Sequence, residues 1–331
     1  MKRFTGKTLS AFVLLGLGLC LLPYVMSDAY LPEVTRLVIF AGAAMSLNLL
    51  VGATGLLSLG HGLFVGMGAY VLAISTIRYG MSYWSGAALA LALSVPVSLL
   101  TALISLRARH LFFGLLTMAI GQVVAFVFVV SNYSLTGGDD GLVGVSVPQW
   151  LIGGAAQYRF AVALTVVVCI VLLKIVASPF GALLGAVRDN ADRVASLGGN
   201  PKPYEIAAFV IAGALGALFG IAFATTEGGV DPHIFSWVTS AMLLMMIALG
   251  GRSTFLGPVL GTMVLEMPRA YVQTHSANAD LVVGVLVILC ALLFPEGIGP
   301  KVRALPSARF NARRSAFEAA SSSQHGGSGQ P

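Results

Sequence analysis

Charged side chains are scarce in this sequence. Asp, Glu, Lys and Arg make up 10% of its 331 residues, whereas soluble globular domains carry roughly 25%. So few charges cannot cover a globule with solvated groups, which excludes an ordinary soluble fold and makes the bilayer the solvent. Cysteine is scarce too. Cys20, Cys169 and Cys290 each sit inside an apolar run, too scattered for a disulfide framework or a zinc site, and read as small apolar fillers. There is no G-x-x-x-x-G-K-[ST] loop to cradle ATP phosphates, no H-E-x-x-H and no G-x-S-x-G. The five histidines, His61, His110, His233, His275 and His325, are dispersed and mostly fall in loops, which argues against a membrane enzyme. An ion-coupled secondary transporter would need carboxylates buried near the midplane. The apolar runs offer almost none, since Glu266 lies off-centre and pairs locally with Arg269 across Pro268.

What is present is apolar. The hydrophobic share is 57% and mean hydropathy is +0.90. A bilayer core needs about 20 apolar residues per helix. Ten runs qualify: 9–26, 31–51, 56–77, 84–106, 110–130, 158–176, 206–226, 236–249, 255–272 and 281–294. The fold class expected is therefore all-α, a polytopic transmembrane helix bundle of about ten spans. Met1-Lys2-Arg3 ahead of the first run has the look of a signal peptide, but no small-x-small cleavage site follows, and an uncleaved first span is expected.

The net charge of +6 does not point to nucleic acid, because the basic residues flank apolar runs without a basic stripe or aromatic interleaving. One set of loops holds Lys2, Arg3, Lys7, Arg107, Arg109, the stretch from Lys174 to Lys202, Arg252, and the basic residues after Lys301. The other holds Asp28, Asp139, Asp140, Glu227, Asp231 and Asp280, with Arg78 and Arg159 as exceptions. The positive-inside rule puts the first set, and both termini, in the cytoplasm. Residues 1–8 form a cytoplasmic N-terminus, and the small, polar stretch 300–331 is expected to be a disordered cytoplasmic tail. Glycine pairs four apart, Gly62/Gly66, Gly216/Gly220 and Gly257/Gly261, suit close helix packing inside one subunit or, alternatively, at a subunit interface.

The longest segment between apolar runs is 178–205. Leu183, Val187, Ala191, Val194 and Gly198 recur at helical spacing, with Arg188, Asp189, Asp192 and Arg193 on the other face. Asp189 and Arg193 are spaced to pair. Asn190 is placed to cap a second short helix, and Gly198, Gly199, Pro201 and Pro203 stop it. This is either a solvated linker or an amphipathic element awaiting a partner groove.

The segment resembles the cytoplasmic coupling loop of ABC importer permeases, with Ala191 to Gly198 in the place of the alanine-rich stretch and its glycine. Asn190 stands where the pattern usually has a carboxylate. Further stretches are similar to branched-chain amino acid permeases of the high-affinity LIV type: Ser46 to Gly52, Ser58 to Gly62 with Gly66, Gly68, Ala69 and Tyr70, Ser134 to Gly141, Ser178 to Gly181, Leu249 to Gly251, Gly257 to Gly261, and Leu293 to Gly297. They run in order from about Ala41 to Gly299.

The resemblance implies that 9–299 is the transmembrane domain of a permease subunit in a bacterial inner membrane. It implies import of leucine, isoleucine or valine by ATP-driven alternating access, or of urea or short amides on the same scaffold. Arg252 with Ser253, and Met242 where glutamate is frequent, are departures from the amino-acid pattern. Implied partners are a second homologous permease, two ATPase subunits that bind the ATP, and a periplasmic substrate-binding protein. No cofactor belongs to this chain. The expected ATPase-coupling residues are Arg188, Asp189, Asn190, Ala191, Asp192, Ala195 and Gly198. Candidates for the pathway or for helix packing are Asn48, Ser58, His61, Gly62, Gly66 and Gln122. His61, in an apolar run, is either a gate residue or a neutral histidine bonded to a neighbouring helix. Thr136, Gly137, Gly138 and Asp139 are expected in a periplasmic-side loop.

Overall fold

The computed structural model describes residues 16–24, 26–108, 111–252 and 254–275, with isolated positions at 14 and between 281 and 297. Of the expected run 9–26, residues 14 and 16–20 are helical and Leu22–Tyr24 form a single tight turn. Most of the run 281–294, and the expected terminal segments 1–8 and 300–331, lie outside the described residues.

Among the described residues the fold is all-α, apart from one antiparallel pair of two-residue strands, β1 (Leu142–Val143) and β2 (Gly229–Val230). The long helices are α1 (Leu31–Asn48), α2 (His61–Ile77), α3 (Tyr83–Ser105), α4 (Leu111–Ala125), α5 (Gly154–Ala177), α6 (Pro179–Ser196), α7 (Lys202–Glu227), α8 (Trp237–Gly250) and α9 (Gly257–His275). Wider turns extend α1 through Leu49–Thr54 and α4 through Phe126–Val130. Five of these helices are long and apolar enough to cross a membrane: Leu31–Thr54, Tyr83–Ser105, Leu111–Val129, Gly154–Ala177 and Lys202–Glu227. Local chemistry sets several starts. The hydroxyls of Ser82, Ser178 and Ser236 accept backbone N–H groups at the heads of α3, α6 and α8.

The expected run 56–77 is corrected at its beginning. Gly55 ends the α1 extension with φ +76°, residues 55–60 are not helical, and the helix starts only at His61. At 1.5 Å per residue α2 is about 26 Å long and α8 about 21 Å, both short of a hydrocarbon core of about 30 Å.

α2 is the centre of the bundle. Every residue from His61 to Ala73 is buried, as expected of a helix that is apolar all round. α7 lies against it closely enough for backbone contact. A Cβ on Gly68 would meet the carbonyl oxygen of Ala217, and one on Gly220 would meet that of Val65. α1 wraps the same core, with Gly42 against the ring of Phe219. The six paired glycines all face neighbours in this chain. α3, α4 and α5 form the outside, exposing Leu93, Leu100, Leu115, Val123 and Val167.

The two expected charge sets gather at two ends. β1 and β2 pair the loop carrying Asp139 and Asp140 with the loop carrying Glu227 and Asp231. Arg78 joins them, its Nε donating to the Leu135 carbonyl (3.3 Å). Trp84 and Trp150, both exposed, stack at this end with centroids 6.2 Å apart, in keeping with an interfacial aromatic belt. Arg188 and Arg252 lie together at the other end.

The chain follows one plan twice, in opposite directions. α1 runs from the acidic to the basic end, breaks at 55–60, and returns as the shorter α2. α7 runs from the basic to the acidic end, breaks at 228–236, and returns as the half-length α8.

Candidate functional site

The two short helices α2 and α8 begin beside each other in the middle of the bundle. The Gly62 N–H donates to Ser240 Oγ (2.7 Å), tying the first turn of α2 to that of α8. A side chain at Gly62 would press on the Ser236 carbonyl, and one at Gly66 on the ring of Phe235. Gln122 of α4 donates from Nε2 to the Phe235 carbonyl (3.4 Å), so a third helix joins the crossing. Ser58 sits just before it, its hydroxyl accepting the Gly60 N–H (3.3 Å).

His61 is fully buried at this point. Ser46 Oγ donates to the Ala43 carbonyl (2.7 Å), which leaves an Oγ lone pair to accept from His61 Nε2 (2.8 Å). Nδ1 has no partner. Gly216 of α7 makes room for the ring, since a Cβ there would lie 2.9 Å from Nε2. His61 therefore bonds to a neighbouring helix.

At the basic end a cavity of about 540 Å³ lies between the end of α1, α6 and the loop after α8. Asn48, Gly52, Arg188, Asp189 and Arg252 line it. Arg188 Nη1 donates to the Gly52 carbonyl (2.7 Å), while its Nε and Nη2 donate to Asp189 Oδ1 (3.1 and 3.0 Å). The guanidinium thus satisfies a carbonyl left open by the unwinding end of α1. Gly55, in its left-handed conformation, packs under the Arg188 stem. Asn48 Oδ1 is buried beside Gly52 without a partner.

α6 is two helical limbs joined at Asn190, whose φ −165° and ψ 97° are not helical. The Asn190 side chain accepts the Arg193 N–H (2.8 Å) and so heads the second limb. One expected pairing is corrected by this kink. Asp189 pairs with Arg188, not Arg193, because the break takes positions 189 and 193 out of helical register. The first limb buries Gly181, Leu184 and Val187, while Leu183 is exposed. In the second limb Asp192 and Ala195 are exposed and Ala191 is half-buried. Gly198 ends it with φ +84°, next to a Leu197 that is 83% exposed.

Thr136, Gly137, Gly138 and Asp139 lie at the acidic end, away from both groups. Thr136 Oγ1 donates to the Val129 carbonyl, and Gly137 and Gly138 take φ +76° and +56°. Sequence reasoning missed Ser46, Ser240 and Gly52. The first two look like ordinary hydroxyls inside apolar runs, and the third contributes only its carbonyl.

Residues 33–291 match the family model described as branched-chain amino acid transport system / permease component. The chain is 26% identical over 308 residues to the high-affinity branched-chain amino acid transport system permease protein LivM of Salmonella typhimurium, covering 85% of this chain and 72% of that protein. It is 24% identical over 271 residues to the fructose import permease protein FruF of Bifidobacterium longum, covering 76% and 74%. It is 27% identical over 291 residues to the autoinducer 2 import system permease protein LsrC of Photorhabdus laumondii, covering 82% and 84%. No solved structure matches.

Proposed function

Because this chain belongs to the family of branched-chain amino acid transport system permease components, and is thus a multi-pass transport subunit, we propose that it imports leucine, isoleucine or valine as one subunit of an ABC importer in a bacterial inner membrane. ATP is bound and hydrolysed by two separate subunits. A second related permease completes the pathway, and a periplasmic protein delivers the solute at the acidic end.

The observation that carries this reading is the kinked α6. Its second limb, from Ala191 to Gly198, is exposed along most of its length, as an element waiting for a partner would be. Its first limb is tied through Arg188 to the Gly52 carbonyl at the point where α1 gives way to α2. Movement of the second limb by the ATPases reaches the half-helix crossing through this bond, and the bundle alternates between outward- and inward-open states. Arg188, Asp189, Asn190, Ala191, Asp192, Ala195 and Gly198 form the coupling element. Ser58, His61, Gly62, Gly66 and Gln122 pack the crossing next to the path, and Asn48 lines the cavity on its basic-end side. Thr136 to Asp139 belong to the mouth that receives the delivery protein.

Uptake decides the solute. In cells lacking the chain, its restoration is expected to restore ATP-dependent uptake of labelled leucine. Restored uptake of labelled urea or fructose alone keeps the scaffold and removes the amino-acid assignment. Coupling is tested separately. Ala195→Glu is expected to abolish uptake with the protein still in the membrane; normal uptake would show that the ATPases dock elsewhere.

A further inference from the structure

A second cavity, of about 240 Å³, lies on the acidic-end side of the crossing. This is below the ~300–1,000 Å³ of drug-sized sites and on the scale of a small solute. Arg36 of α1 and Arg269 of α9 line it, as does Asp231. Phe40, Phe223 and Met242 supply its apolar surface. Arg36 belongs to a helix apolar enough to cross a membrane, where ionisable groups are expensive and turn toward the bundle interior or a cavity. Its guanidinium carbon lies 5.7 Å from the centroid of the Phe40 ring, which Phe223 meets edge-on at 6.1 Å. Arg36 Nε is buried without a hydrogen-bond partner.

Arg269 Nη1 lies 3.9 Å from Glu266 Oε1 and 3.6 Å from Met242 Sδ, a weak acceptor. Glu266 interacts electrostatically with Arg36 and Glu33 as well. Asp231 Oδ1 accepts the His233 N–H (2.8 Å). α8 begins in the same wall, where Ser236 and Thr239 line the cavity, so the positive end of its dipole favours an anionic group there.

We propose that this cavity holds the solute on its way in. Arg36 and Arg269 take a carboxylate, Asp231 takes an ammonium group, and Phe40, Phe223 and Met242 cover an apolar side chain. The inference rests on the importer reading above and deepens it by assigning the residues that recognise the charged ends and apolar side chain of such an amino acid. Urea and sugars have no carboxylate for a guanidinium to meet.

The test uses the full-length chain restored to cells lacking it, with labelled leucine and labelled urea. Wild type is expected to restore leucine uptake and not urea uptake. At equal membrane level, Arg36→Gln is expected to lower leucine uptake at least about tenfold, the scale of one lost charge-assisted hydrogen bond. Arg36→Lys keeps a point charge and should recover part of that uptake. Asp231→Asn, whose amide oxygen can still accept the His233 N–H, should lower leucine uptake severalfold. Undiminished leucine uptake in Arg36→Gln overturns the proposal and leaves the importer reading standing. Equal loss in the Gln and Lys variants also overturns it, since it marks Arg36 as structural. Where Arg36→Gln does not reach the membrane, undiminished uptake in Asp231→Asn overturns the proposal. Restoration of urea uptake alone, or of neither, overturns this inference together with the amino-acid reading.

Discussion

His61 is held by one short bond to Ser46 (2.8 Å), and the missing side chain of Gly216 leaves it room. Ser46→Ala strands a buried ring nitrogen, at a cost of about 1–3 kcal/mol. A lower unfolding temperature of the detergent-solubilised protein is the expected readout, and no change would mean that water or a rotated ring replaces the bond. Glycines divide by what surrounds them. A Cβ on Gly68 meets the backbone oxygen of Ala217, which cannot yield, whereas one on Gly185 meets nothing within 4 Å. Gly68→Ala is therefore expected to cut the folded yield in membranes sharply, and Gly185→Ala to leave it near wild type. The kind of bond His61 makes was legible from an ionisable ring in an apolar run. Its partner was not, because Ser46 reaches it only after the chain reverses at 55–60. Arg36, an ionisable group inside the apolar run 31–51, was a signal that went unread; its partner was not legible, because α9 brings Arg269 to the same cavity only in the fold.

Among the elements, α6 was the most legible. Its amphipathic spacing, the Asn190 break and the glycine stop all stand in the sequence. Its burial register did not, since Leu184 and not the expected Leu183 is buried in the first limb, a choice between adjacent leucines that spacing leaves open. Asn190→Ala removes the side chain that heads the second limb, a change worth about 0.5–2 kcal/mol. Faster proteolysis within 190–200, with reduced uptake, is the expected result. If cleavage is unchanged, the limb holds without its cap. The late start of α2 was hidden for a simple reason. Leu56, Leu57 and Leu59 are apolar whether helical or extended, so hydropathy extends the span through a segment that is not helical. Only the flanking Gly55 and Gly60 mark the break.

For the whole molecule, the segregation of charge was read from loop composition; among the described residues the loops carrying Asp139, Asp140, Glu227 and Asp231 meet at one end and Arg188 and Arg252 at the other. With cysteine placed at otherwise cysteine-free chains, a membrane-impermeant maleimide is expected to label Asp189→Cys only from the cytoplasmic face and Asp139→Cys only from the other. Labelling of both from one face would undo the assigned sidedness. The twofold plan of long helix, break and half-helix left no trace in the sequence, because packing demands only that each copy be apolar and small at the crossing. This plan also has an electrical consequence. The cavities of about 540 and 240 Å³ approach the crossing from opposite ends, so part of the membrane potential falls across the layer of packed residues between them. One charge moved through that layer does work of about 2.3 kcal/mol per 100 mV. A zwitterion carries no net charge and does none, so leucine import should be indifferent to voltage wherever ATP is held constant.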